Sequence, residues 1–367
     1  MLSRFKVEHY KSLFDIDVDL EPLTVFIGPN GSGKSNVCEA LAIGSATLRE
    51  IIERESIVAT STVLESVSQS LGKRSPIEAF FWARKTDFLA FEFENIETSG
   101  QASSLQIKFN YDQRSIAIDH LGKFLNARSH TGEVREFLIQ NSYMNSDLNI
   151  DLKSVRIYDF SPNSIIELTS SNEGMERSGK GIAEALGDLM LDNRQRFDEL
   201  EKRLSDLVPN ISRISLERSK NKDFLLNLVD HYSEHRIPAS EVSDGTLRIL
   251  AFLTAIYQIE TPSILCFEEM ENGVHPWLLH KMMELLKLIS TEGINGKPVQ
   301  VLITTHSPIL LNYVEPKQVR AVELDNEGKT QVHNLPIESK AFQNALDAYN
   351  GALGELWFTD VFGGNPE

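Results

Sequence analysis

The sequence predicts an α/β fold: a mixed, partly parallel sheet interrupted by an α+β insertion that carries a long amphipathic helix. Three observations predict it. A short apolar strand runs into the glycine-rich turn "FIGPNGSGKSN" (26–36) and then into helical pattern. From Ser243 onward helix and strand alternate, the pattern of βαβ units on a parallel sheet. Between these stretches lie segments that alternate with period two, followed by a helical stripe.

Each element has its own signal. "LSRFKVEHY" and "DIDVDL" read as strands, and "LTVFIG" as a more continuously apolar, central one. Helix is expected from about Lys34 to Glu53. "FLAFEFEN" (88–95) and "SLQIKFNY" (104–111) read as an antiparallel pair with one wet face, and "SVRIYDF" (154–160) as a further strand. One helix is expected over about 181–208. Ile182, Leu186, Leu189, Met190, Phe197, Leu200, Leu204 and Leu207 form its stripe. Arg194, Arg196, Glu199, Lys202 and Arg203 form its charged outer face. It is too short for a long coiled-coil arm. "ISRISLER" and "FLLNLVDHY" read as strands. Then "TLRILAFLTAIYQIE", "SILCFEE", "PWLLHKMMELLKLI" and "VQVLITTH" alternate helix and strand. The expected division is 1–58 and 236–335 as two parts of one core, 59–235 as the insertion and 336–367 as a tail.

The chain has 367 residues, is 41% hydrophobic and 24% charged, and carries a net charge of −17. Acidity argues against a protein that simply coats nucleic acid. The most basic stretch, 120–135, reads as a solvated loop, with a nucleic-acid patch as the alternative. No apolar run reaches 18 residues and no leader-like segment opens the chain, so a cytoplasmic protein without membrane contact is expected. Cys38 and Cys266 sit in apolar stretches and read as reduced core residues.

"GPNGSGKS" matches G-x-x-x-x-G-K-[ST] between a strand and a helix. Gly28, Gly31 and Gly33 allow backbone turns that converge N–H groups on phosphate oxygens, and the helix that follows adds the positive end of its dipole. The phosphate cradle runs through Gly28, Pro29, Asn30, Gly31, Ser32, Gly33, Lys34, Ser35 and Asn36. Lys34 reaches the β- and γ-phosphates, and the Ser35 hydroxyl is a ligand for Mg²⁺. ATP and Mg²⁺ are the expected cofactors.

"SILCFEE" ends a buried strand in two carboxylates, at the sheet edge where ligands collect. Glu268 is the candidate Mg²⁺ ligand and Glu269 the candidate base for the attacking water, with an ordinary acidic turn as the alternative. "VLITTHSP" ends another buried strand in His306, a candidate contact to the γ-phosphate or the water. Ser243, Asp244 and Gly245 open a helix. Ser243 is a good N-cap, and the same exposed N-terminus suits a phosphate.

In this order the motifs resemble those of ABC-class ATPases of the RecF, SMC and OLD type. The resemblance is closest to a group of short bacterial AAA-like ATPases of phage-defence and repair systems. It rests on "FKVEHYKSLFDIDVDLEPLTVFIGPNGSGKSN", "VSDGTLR", "FEEMENGVHP" and "LITTHSPILL", about 1–45 and 240–320. It implies an ABC-type ATPase head with a β-subdomain and helical insertion, and head-to-head dimerisation on ATP. Each nucleotide would lie between Gly28–Ser35 of one copy and Ser243–Gly245 of the other. Glu271, Asn272, Gly273 and His275 would take the place of the segment linking the two sites. A partner effector, such as a nuclease, and anti-phage work are implied, with nucleic acid reached directly or through that partner.

The signature reads "SDGT" where transporters have "SGGQ", and the first acid is Glu268 rather than Asp; both point away from membrane transport. Gln69 is the weak candidate for a Q-loop glutamine. The chain after His306 is shorter than a TOPRIM nuclease domain, so no nuclease activity of its own is expected. Two other readings remain open: a repair or chromosome-maintenance ATPase acting directly on DNA, and a nucleotide-dependent scaffold with little turnover. The C-terminal "GALGELWFTDVFGG" reads as a strip for a partner or as a tail folded on its own domain.

Overall fold

The computed structural model describes residues 1–53, 88–96, 102–110, 115–128, 131–141, 143–145, 147–168, 174–219, 223–294, 296–359 and 361–363. Strands β1 (Arg4–Tyr10), β2 (Leu13–Asp19) and β3 (Leu23–Ile27) lead into helix α1 (Lys34–Glu53). Next come β4 (Phe88–Ile96), β5 (Ala102–Asn110), β6 (Ser115–His120) and β7 (Lys123–Arg128), helices α2 (Thr131–Gln140) and α3 (Asp147–Leu152), and β8 (Val155–Tyr158). Then follow α4 (Pro162–Ile165), α5 (Ile182–Asp192), α6 (Arg194–Leu207), β9 (Ile211–Arg218), β10 (Phe224–Asp230), β11 (Arg236–Pro238) and α7 (Asp244–Tyr257). The chain closes with β12 (Ile264–Glu268), α8 (Pro276–Thr291), β13 (Gln300–Thr305), α9 (Pro308–Leu311), β14 (Val319–Leu324), β15 (Thr330–Asn334), α10 (Lys340–Ala348) and α11 (Leu353–Trp357).

The chain divides into two compact units, each assembled from separate stretches. One holds 1–157, 262–266 and 299–367; the other holds 158–261 and 267–298. In the first unit, one sheet runs β2-β1-β4-β5-β6-β7 and a second runs β15-β14-β3-β13-β12-β8. Antiparallel pairing joins β1 to β2 and β4, while β13 and β14 pair with β3 in parallel. The mixed sheet is therefore built around β3, whose five residues are all buried. That explains its unbroken apolar run: a strand covered on both faces shows no alternation. On the other sheet Phe5, Phe93, Leu105, Ile107 and Ile118 point inward and join one core with Val37, Leu41, Cys266 and Leu302. Phe5 and Phe93 stack with centroids 5.3 Å apart. Both cysteines are buried.

Two expectations from the sequence are corrected here. The stretch 120–135, expected as a solvated loop, holds β7, paired in a hairpin with β6, and the start of α2. Its polar residues are compatible with a strand because β7 is the last strand of its sheet. The expected single helix over 181–208 is two helices, α5 and α6, broken at Asn193. The Asn193 side chain accepts from the Arg196 N–H at 3.1 Å and caps α6. Arg196, expected on the charged outer face, is 7% exposed. Its guanidinium donates to Gln258 O at 2.8 Å, Ile259 O at 3.0 Å and Thr261 Oγ1 at 2.7 Å. Burial holds its pKa below the usual arginine value. A charge this deep is tolerated because the acceptors replace water. The second unit also carries the small antiparallel sheet β11-β10-β9.

The C-terminal strip folds on its own unit. Leu353, Leu356 and Trp357 are buried, and the Gly354 N–H donates to Asn312 Oδ1 at 2.8 Å. Gln69, the weak Q-loop candidate, lies outside the described residues.

Candidate functional site

Residues 28–33 connect β3 to α1, and the loop they form is braced from three sides. A Cβ on Gly28 would lie 2.0 Å from Val322 O on β14, so only glycine fits beside that strand. Gly33 has φ +101°, a region that favours glycine, and a Cβ there would meet Thr330 Oγ1 at 2.0 Å. Thr330 Oγ1 donates to Ser32 O at 2.9 Å and shares a hydrogen bond with Ser12 Oγ at 2.7 Å. Asn36 Nδ2 donates to the same Ser12 oxygen at 2.8 Å. Ser12, between β1 and β2, and Thr330, opening β15, thus clamp the loop to the first turn of α1. Neither stands out in the sequence, because 318 residues separate them.

Inside the clamp, the Lys34 ammonium is 5% exposed and donates to Gly28 O at 2.7 Å and Pro29 O at 2.8 Å. The Ser32 hydroxyl is buried with no hydrogen-bond partner among the described residues. An unpaired hydroxyl held dry costs about 1–3 kcal/mol, a cost that a ligand oxygen would relieve. With a lysine, an exposed Gly31 and the N-terminus of a 20-residue helix, the loop suits a polyphosphate. Asn30 is exposed, while Ser35 and Asn36 are half-buried.

Parallel register sets Thr305 of β13 opposite Ile27 of β3. The chain therefore leaves β13 for His306 beside the point where it leaves β3 for Gly28. His306 is exposed there. Thr304, two residues earlier, keeps a buried hydroxyl without a partner among the described residues. The first unit thus brings Gly28–Asn36 together with His306.

The other candidates lie in the second unit. Glu268 ends β12 and is 7% exposed, paired with the Arg177 guanidinium. Glu269 follows with φ +46°, the left-handed region that non-glycine residues seldom adopt. Its carboxylate Oε2 accepts from Asn272 Nδ2 at 2.9 Å. Ser243 caps α7, accepting from the Thr246 N–H at 3.3 Å, and both Ser243 and Asp244 are exposed. A Cβ on Gly245 would sit 2.8 Å from Gly273 O, so the first turn of α7 rests directly on the turn that follows Glu269. Sequence reasoning missed Ser12, Thr330 and Arg177, and it placed Asn272 only through the family resemblance.

Mg²⁺ needs hard oxygen donors and keeps several waters. The Ser35 hydroxyl and the Glu268 carboxylate are of that kind. The Arg177 guanidinium already pairs with Glu268, so a metal at that carboxylate would have to share it or displace the arginine. Among the described residues no group of three His, Cys, Asp or Glu that could hold a metal ion comes together, and the two oxygens belong to different units.

Two of the loop's three glycines make separable predictions. Gly28→Ala forces backbone against Val322 and is expected to lower stability by about 1–3 kcal/mol and to weaken ATP retention at least about tenfold. Gly31→Asn is expected to cost less than about 1 kcal/mol. Gly31 has φ +81° with nothing within 4 Å of a Cβ, and asparagine tolerates that backbone. Denaturant unfolding and nucleotide binding of both variants check this.

The model of one family, "AAA domain, putative AbiEii toxin, Type IV TA system", matches residues 23–312. A stretch of 41 residues is 46% identical to an OLD nuclease of Thermus scotoductus (strain ATCC 700910 / SA-01); it spans 11% of this chain and 8% of that protein. Among solved structures, an Smc head bound to the C-winged helix domain of ScpA aligns with TM-score 0.61 and 14% identity, over 92% of this chain and 98% of that one. The Pyrococcus furiosus Smc head domain with an extended coiled coil, bound to the C-terminal domain of ScpA, aligns with TM-score 0.55 and 13% identity, over 95% and 99%. The SMC head domain of Thermotoga maritima gives 0.51 and 13%, over 91% and 98%. At such identities the likeness is one of fold: this chain is folded similarly to those SMC head domains. The family match spans the phosphate loop, the acidic strand end and His306, and the chain belongs to that AAA-domain family.

Proposed function

We propose that this chain is an ATP-driven switch that works as a pair of identical copies and governs a partner effector, in anti-phage defence. The buried, unpartnered Ser32 hydroxyl carries the nucleotide reading, because it lies in a loop braced to present N–H groups to phosphate. Residues 1–58 and 236–335 are read as the two parts of the ATPase core. On binding, Lys34 exchanges the Gly28 and Pro29 carbonyls for β- and γ-phosphate oxygens. Mg²⁺ held near Ser35 and Glu268 would neutralise charge on those oxygens. Glu269 takes the proton of the attacking water, and His306 orients that water or the γ-phosphate.

Ser243, Asp244 and Gly245 form the second half of the site, offered to the nucleotide of the other copy. Their exposure at the start of a 14-residue helix supports this. The effector reading draws on the relatives. Two of the SMC heads were solved with a domain of ScpA bound, and the family description names a toxin system. The chain itself is expected to leave DNA intact with Mg²⁺ present.

The test is retention of ATP with Mg²⁺ by the purified chain, with molecular mass followed by light scattering. Binding with a doubling of mass on ATP supports the reading. A chain that retains no nucleotide removes it.

A further inference from the structure

The geometry points to Asn272 as the positioning residue that aims Glu269, an inference that rests on Glu269 being the base. A glutamate side chain has several rotatable bonds, and holding it in one orientation costs roughly 1–2 kcal/mol of rotamer entropy. Here the turn that follows supplies the hold. Asn272 Nδ2 donates to Glu269 Oε2 at 2.9 Å, while the Asn272 N–H donates to Glu269 O at 3.0 Å. The same residue therefore grips both the backbone and the side chain of Glu269. The backbone grip accompanies the left-handed φ of +46°, which turns the carboxylate out of the line of β12. Asn272 is half-buried and uncharged, so it orients the carboxylate without neutralising it as an arginine would. The next residue, Gly273, lies under the first turn of α7 through the Gly245 approach, so the hold is anchored on the helix that carries Ser243.

The experiment compares kcat and KM for ATP in the full chain with Asn272→Asp, Asn272→Ala, Glu269→Gln and the double variant Asn272→Ala/Glu269→Gln. Asn272→Asp is nearly isosteric and keeps the turn, but it replaces the donor by a like charge. Asn272→Ala is expected to lower kcat about tenfold with KM within about twofold, because misplacing a reacting group costs rate rather than binding. Asn272→Asp is expected to be slower still, with KM again within about twofold, because a like charge pushes the carboxylate away where the amide held it. The double variant is expected to be no slower than Glu269→Gln alone, since the two residues act through one group. Wild-type kcat in Asn272→Asp and Asn272→Ala, a loss that falls on KM instead of kcat, or effects that multiply in the double variant, overturn the proposal while Glu269 stays the base. Glu269→Gln at the wild-type rate overturns the assignment of the base, and the role of Asn272 with it.

Discussion

Glu269→Gln is expected to retain ATP with Mg²⁺ and to hydrolyse it about 10²–10⁴-fold more slowly, the usual worth of one general base. The amide copies the shape of the carboxylate and can still accept from Asn272, so little but basicity is lost. Shape matters here because Glu269 sits in the left-handed region, where a non-glycine residue costs roughly 1–2 kcal/mol. Such backbone persists only where its surroundings over-determine it. The turn through Asn272 and Gly273 does so, with the Asn272 N–H on Glu269 O at 3.0 Å and the Val274 N–H on Glu271 O at 3.1 Å. Phosphate release measured beside equilibrium ATP binding separates the possible outcomes. Slow release with full binding supports the base. Equal, substantial rates in both proteins sink it. Near-zero rates in both favour the scaffold, in which nucleotide serves only to hold two copies together.

The frame that carries these residues was legible because its signals are local. A strand buried on both faces is a run of apolar residues, and a phosphate loop needs glycines at fixed offsets. The alternation after Ser243 likewise appears as α7, β12, α8 and β13. What stayed hidden depends on distant partners. The stripe over 181–208 is continuous, and Asn193 breaks it where Arg196 finds acceptors 62 to 65 residues away. The clamp on the phosphate loop joins Ser12 to Thr330, and the ion pair on Glu268 joins residues 91 apart. No pattern of period two or 3.6 encodes such meetings. The left-handed turn at Glu269 was hidden for another reason. Glutamate is a poor choice for that backbone, and local preference therefore argues against the conformation the structure adopts.

Ser243→Asp gives the sharpest test of a site shared between two copies. Aspartate caps a helix as well as serine does, so α7 should persist and the fold should lose no more than a few tenths of a kcal/mol. The added charge faces outward at an exposed position, where the proposal puts the γ-phosphate of the other copy. Like charges at that distance repel, and hydrolysis is expected to fall at least about tenfold while each copy alone still binds ATP at its own phosphate loop. The decisive step mixes this variant with Glu269→Gln, each slow by itself. In a two-fold pair, one site then combines the intact loop and Glu269 of the Ser243→Asp copy with the intact Ser243 of its partner. The other site collects both defects. Random pairing should restore about a quarter of the wild-type rate, since half of the pairs are mixed and each mixed pair has one working site. A mixture no faster than the average of its two components would mean that each chain completes its own site, and the shared pocket would have to be abandoned.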